Sequence, residues 1–101
     1  MKEVTPAELK KMLDSDEKFK LIDVREETEF AELSITGCDL IPMNSIPENI
    51  GSVPRDIKVV IYCRSGNRSG VVINYLEKQH GYENLHNLKG GIMAYDKEIG
   101  L

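Results

Sequence analysis

Nowhere in this sequence do apolar residues run for the roughly 20 positions that a membrane span needs. Its start, Met1-Lys2-Glu3-Val4-Thr5, lacks the hydrophobic segment of a signal peptide. These two gaps predict a soluble, cytoplasmic protein with no membrane partner. Tryptophan is absent, aromatics make up 6% of the chain, no basic stripe runs along it, and the net charge is −4. Affinity for nucleic acid comes largely from neutralising phosphates, so this composition argues against a nucleic-acid partner. Cys38 and Cys63 are the only cysteines, too few for a disulfide framework, and a cytoplasmic chain with a packed core needs no bridge between them. There is no Cys-x-x-Cys pair and no histidine clustered with cysteine, so no metal site is expected. Gly90-Gly91 lacks the third glycine and the strand context of a dinucleotide-binding loop; it reads as a turn, and no cofactor is expected. Low-complexity tracts and internal repeats are missing as well.

What remains is the composition of an ordinary globular protein: 101 residues, 41% hydrophobic and 30% charged. That length predicts one domain over residues 1–101. The charge is uneven. The first fifty residues carry twelve acidic and six basic side chains, the rest five acidic and seven basic. Arg64 and Arg68 therefore form a cationic island on an acidic body, which suits a small anionic ligand.

Thr5-Pro6-Ala7-Glu8 is a capping box with proline at the first helical position, and Leu9, Met12 and Leu13 continue it as an apolar helical stripe ending near Asp14 or Ser15. Leu21 to Val24 reads as a short strand. Glu26 to Ala31 reads as an acidic first helical turn with Phe30 facing inward. Asp39 to Ile41 is a second brief strand, begun by Cys38 as a small, partly buried residue and closed by Pro42. Ile46 to Ile50 predicts a short helix stopped by Gly51. Lys58 to Tyr62, rich in β-branched residues, predicts a strand buried on both faces. Val71, Val72, Tyr75 and Leu76 mark a helix, with Lys78 and His80 in its last turn and Gly81 at its left-handed end. Asn84 to Leu88 is the last strand candidate, and a helix through Ile92, Met93 and Tyr95 follows. Strands and helices alternate throughout, which predicts an α/β fold with a mainly parallel sheet and helices on both faces. Ligand chemistry then belongs at the carboxyl edge of the strands.

At that edge falls Tyr62-Cys63-Arg64-Ser65-Gly66-Asn67-Arg68-Ser69. A buried strand ends on a cysteine, a short polar loop carries two arginines, and a helix begins. An unassisted thiol titrates near pH ~8.5, but a helix N-terminus and nearby arginine lower this to roughly 3.5–7.5. The loop's N–H groups can converge on the sulfur as an anion cradle. Cys63 is thus the candidate nucleophile, and a thiol already ionised needs no general base.

Three segments together carry a family resemblance: Leu21-Ile22-Asp23-Val24-Arg25-Glu26, Cys63 to Ser69, and Leu88-Lys89-Gly90-Gly91 with an aromatic at Tyr95. They resemble the single-domain rhodaneses over nearly the whole chain. The resemblance implies a rhodanese-like α/β fold, a mainly parallel five-stranded sheet flanked by helices. It also implies a thiosulfate sulfurtransferase. Sulfane sulfur moves from thiosulfate or a related donor to cyanide or a thiol through a Cys63 persulfide, by double displacement. Arg64 and Arg68 would carry the anionic part of the donor, since a planar guanidinium meets an oxyanion bidentately. Gly66 would permit a loop conformation closed to residues with a Cβ. Ser65 and Asn67 would add hydrogen bonds, and Ser69 would cap the next helix. A sulfur-relay protein is a further expected partner. The chain departs from the family pattern at Ser34-Ile35, where a histidine often precedes the aliphatic residue, and at Tyr95, where tryptophan is frequent; both places are expected to support the fold.

Two other readings use the same loop. Cysteine-based phosphatases and arsenate reductases also close a loop with arginine, but theirs is one residue longer than the four that separate Cys63 from Arg68. A persulfide carrier or partner-docking module would share the fold, and a carrier would share the chemistry at Cys63. Asp23 and Arg25 are expected to form a structural ion pair that orients the loop after their strand, His80 to sit at a helix end and His86 in a strand.

Overall fold

The computed structural model describes residues 1–101. The chain runs β1 (Glu3–Val4), α1 (Pro6–Leu13), β2 (Phe19–Asp23), α2 (Glu27–Glu32), β3 (Asp39–Leu40), a 3₁₀ segment (Met43–Ser52), β4 (Lys58–Tyr62), α3 (Asn67–His80), β5 (Leu85–Leu88) and α4 (Gly91–Glu98). The strands form one five-stranded sheet in the order β1-β5-β4-β2-β3. Every pairing is parallel, with Ile22 opposite Ile61 and Ile61 opposite Asn87 across the centre. This is the α/β architecture that the alternation of elements predicts. No helix is long and apolar enough to cross a membrane.

Strand β4 organises the interior. Successive side chains of a strand point to opposite faces, so Val59, Ile61 and Cys63 enter one apolar layer while Val60 and Tyr62 enter the other. The first layer takes Val72, Ile73 and Leu76 of α3; the second takes Leu9 and Met12 of α1 and Ile92 and Tyr95 of α4. Full burial of an aliphatic side chain contributes about 1.5–3 kcal/mol, so the five residues Val59 to Cys63 fix the strand between two helical layers. Of the two places that depart from the family pattern, Tyr95 is buried in the second layer, while Ser34 is half-buried beside the buried Ile35.

Local chemistry sets the ends of the elements. Thr5 accepts from the Glu8 amide at 3.1 Å and its own amide donates to the Glu8 carboxylate at 2.8 Å, which closes the expected capping box. Gly81 ends α3 at φ +67°, its amide donating to the Glu77 carbonyl.

Two expectations need correction, and one strand goes beyond them. Strand β1, which completes the sheet, is two residues long and carries no periodic signal of its own. Ile46 to Ile50 is not a helix halted by Gly51. The 3₁₀ segment starts at Met43, breaks at Asn49 (φ −126°, ψ 28°) and continues through Gly51 to Ser52. Its Pro47 has no amide to donate, and the alternating Pro and Asn leave no regular turn to propagate. Phe30 is only half-buried, and α2 buries none of its residues. That short helix is held by charge instead, as the site shows.

Candidate active site

Cys63 leaves β4 at the carboxyl edge, and four residues later the chain enters α3. The reversal needs Gly66, which sits at φ +107°. A Cβ there would meet nothing closer than 3.8 Å, so backbone conformation and not crowding demands the glycine. The turn brings the Gly66 amide to 3.1 Å from Cys63 Sγ. The Ser69 hydroxyl, one turn into α3, lies 3.3 Å from the same sulfur. Burial pushes the Cys63 thiol up. The Ser69 hydroxyl and the amides of Ser69, Gly66 and Ser65 outweigh it and hold the thiol below its ordinary value. Cys63 is 1% exposed, packed against the first apolar layer on one side and ringed by donors on the other.

The loop is braced from behind. Gly91, at φ +64°, lies so close that a Cβ would stand 2.3 Å from the Arg64 carbonyl oxygen. At that approach the Ile92 amide donates to the Cys63 carbonyl at 2.9 Å and the Met93 amide to the Arg64 carbonyl at 3.1 Å. Asn87 of β5 ties the other side. Its Nδ2 donates to the Gly66 carbonyl at 3.1 Å, and its Oδ1 faces the Ser69 hydroxyl at 2.6 Å.

The two arginines differ. Arg64 is exposed and has no carboxylate partner; its Nε lies 3.2 Å from Met93 Sδ. Arg68 forks onto Glu29 of α2, with its two terminal nitrogens 2.7 and 2.8 Å from the two carboxylate oxygens. The Arg68 fork holds the Glu29 carboxyl at about 2, against an ordinary 4.5; burial opposes this and the Glu26 amide assists. Arg25 binds Asp23, fully buried at the end of β2, at 2.8 Å and also donates to the Leu33 carbonyl. This is the structural ion pair expected of them. Together the Arg68 and Arg25 contacts fasten both ends of α2, whose apolar contribution is slight.

The structure therefore gathers Cys63, Arg64, Ser65, Gly66, Asn67, Arg68 and Ser69 into one loop and helix start, with unequal parts. The Ser65 and Asn67 side chains are exposed and bond nothing in the chain; Ser65 turns its backbone amide to the sulfur. Ser69 is not the cap of α3, because Gly66 holds that position and Ser69 lies inside the helix with its hydroxyl turned back to Cys63. Glu29, Asn87 and Gly91 were not anticipated. Asn87 left one sign, a polar side chain between Leu85 and Leu88 in a strand that is otherwise buried. Cys38 contacts the Tyr62 hydroxyl at 3.4 Å, and burial pushes its thiol above the ordinary value, opposite to Cys63.

A cysteine closing a central strand of a parallel α/β sheet, with amides turned onto its sulfur, defines a class of protein, and the comparisons agree with it. The chain belongs to the family of the rhodanese-like domain, whose profile matches residues 5–98. It is 42% identical over 98 residues to YtwF of Bacillus subtilis (strain 168), covering 97% of this chain and 93% of that protein. A sulfurtransferase of Allochromatium vinosum is 40% identical over 93 residues, covering 92% of this chain and 86% of its own. Among solved structures, SSP1007 of Staphylococcus saprophyticus superposes with a TM-score of 0.86 at 34% identity, over 98% of this chain and 97% of that one.

Proposed function

We propose that this protein is a sulfurtransferase in which Cys63 takes a sulfane sulfur from an anionic donor such as thiosulfate and hands it to a thiophilic acceptor. The observation that carries the reading is the convergence of the Gly66 amide and the Ser69 hydroxyl on Cys63 Sγ, at 3.1 and 3.3 Å. Donors aimed at a sulfur stabilise its anion, and the same cradle fits the anionic outer sulfur of a persulfide. In the first step the Cys63 thiolate attacks the outer sulfur of thiosulfate, the S–S bond breaks and sulfite leaves with the bonding pair. In the second, cyanide or a thiolate attacks the outer sulfur of the persulfide, and the Cys63 thiolate returns. Arg64, whose guanidinium has no carboxylate partner, supplies positive potential that draws an anion to the loop, while Arg68 shares its charge with Glu29. A sulfur-relay protein can replace either small molecule, because only the sulfur must reach Cys63.

The test is mass spectrometry of the protein after thiosulfate treatment. A gain of about 32 Da on Cys63, removed by cyanide and absent from Cys63→Ser, is expected of covalent catalysis. Phosphate-ester turnover that depends on Cys63, with no sulfur taken up, would support the phosphatase alternative instead.

A further inference from the structure

The ion pair between Arg68 and Glu29 bears on which donors this site accepts. Arg68 spends both terminal nitrogens on Glu29, at 2.7 and 2.8 Å, so its fork is occupied and its charge balanced. The pair sits at the surface, with the two side chains 32% and 29% exposed, beside a shallow depression lined by Arg25, Arg64, Glu32 and Asp96. Arg25 is balanced in turn by the buried Asp23. The lining of that depression sets three carboxylates, Glu29, Glu32 and Asp96, against the guanidinium groups of Arg25 and Arg64. Arg64 is the one arginine of the three without a carboxylate partner. A loop that reads from the sequence as doubly cationic therefore offers one guanidinium free of a salt bridge, on a face where carboxylates are in excess.

We infer that Glu29 is a specificity-determining residue, which by neutralising Arg68 turns the site away from dianionic sulfur donors and toward donors carrying a single negative charge. The inference rests on sulfur transfer at Cys63 and names the class of donor. Glu29 touches no reacting atom; it acts through Arg68. Each negative charge on a donor meets the field around the loop, so a dianion feels an added carboxylate twice as strongly as a monoanion. Both donor types obey the same balance. Thiosulfate gives the Cys63 persulfide anion and sulfite, whereas a thiosulfonate gives the same persulfide and a sulfinate. In each case the Cys63 thiolate forms the new S–S bond, the old S–S bond breaks, and the leaving group takes the pair.

Thiosulfate and methanethiosulfonate form the probe pair, since both present an outer sulfur on a sulfonyl centre and they differ by one charge. Loading of Cys63 is followed by single-turnover mass spectrometry, and kcat/KM is measured for both donors. Glu29→Gln keeps an oxygen for Arg68 and for the Glu26 amide but removes the charge. It is expected to raise the thiosulfate-to-methanethiosulfonate ratio of kcat/KM by about tenfold, chiefly through a lower KM for thiosulfate. Glu29→Asp, which keeps the charge, should hold the ratio near that of the parent. A structural role alone would lower both donors together and leave the ratio where it was, and that result overturns the inference, as does a ratio that falls. If the parent protein loads Cys63 from neither donor, the sulfur-transfer reading itself fails and this inference with it. If both donors load and the ratio does not move, only the inference fails.

Discussion

Ser69 and Asn87 share a hydrogen-bonding position next to the Cys63 sulfur: the serine hydroxyl is 2.6 Å from Asn87 Oδ1 and 3.3 Å from Cys63 Sγ. A hydroxyl has one proton to give. With the thiol protonated, the shorter contact to Asn87 takes it. With the sulfur ionised, the charged acceptor draws it. The pair thus holds a donor ready beside the thiolate without leaving a buried proton unsatisfied while the thiol is neutral.

Removing that hydroxyl gives the first prediction. A hydrogen bond to a charged group contributes about 1.5–3 kcal/mol, so Ser69→Ala, which removes the largest of the stabilising donors, should raise the Cys63 thiol pKa. The direction follows from the bond being made to the ionised form. The check is the rate of Cys63 alkylation as a function of pH, whose midpoint should move upward. An unmoved midpoint would mean that the backbone amides alone hold the thiolate.

Acid stability supplies the second. Glu29 titrates near 2 in the folded protein because Arg68 grips it, against an ordinary 4.5. A depressed carboxylate contributes stability that is full above its unfolded value and is lost as pH falls through its folded value. Urea midpoints of the parent should exceed those of Glu29→Gln by a steady margin above pH ~5, and the two curves should converge as pH drops toward 2. A margin that stayed constant to the acid end would assign the effect to packing. Because both side chains are partly exposed, added salt should also narrow the margin.

The third concerns Gly91. Its φ of +64° disfavours a side chain, and a Cβ would stand 2.3 Å from the Arg64 oxygen, with backbone that cannot swing aside. Gly91→Ala should cost about 3 kcal/mol or more, measured by denaturant unfolding, and any folded protein should react more slowly at Cys63. Gly81→Ala is the control, since that glycine has positive φ but open space around it. It should lose only about 1 kcal/mol, with Cys63 unaffected.

The strand-loop-helix turn around Cys63 was legible from the sequence because its parts are contiguous: the strand, Cys63, Gly66, the arginines and the helix start all lie within a dozen residues. The sheet was legible for a similar reason, as Lys58 to Tyr62 is long and uniformly β-branched or aromatic beyond its first residue. Glu29 was not legible as a site residue. Its fork to Arg68 spans 39 positions, and its neighbours Glu26 and Glu27 look the same in the sequence. Asn87 meets Ser69 and Gly66 only because β5 lies against β4. Strand β1 escaped notice because two residues give no alternation, and its place comes from pairing with Asn87 and Leu88. Ser69 misled because serine near a helix start usually caps it, whereas here the left-handed Gly66 already holds the cap and releases the hydroxyl for the sulfur.

A peptide unit has two ends that point opposite ways. By drawing the Arg64 carbonyl onto the Met93 amide, helix α4 forces the following N–H, that of Ser65, to face the other direction, inward over the sulfur. A helix that gives no atom to Cys63 therefore orients one of the dipoles that face its sulfur. Loosening α4 from the loop would free that peptide to turn its oxygen toward the sulfur, against the Gly66 amide and Ser69 hydroxyl, so the seating of this helix tunes how firmly a thiolate is held at Cys63.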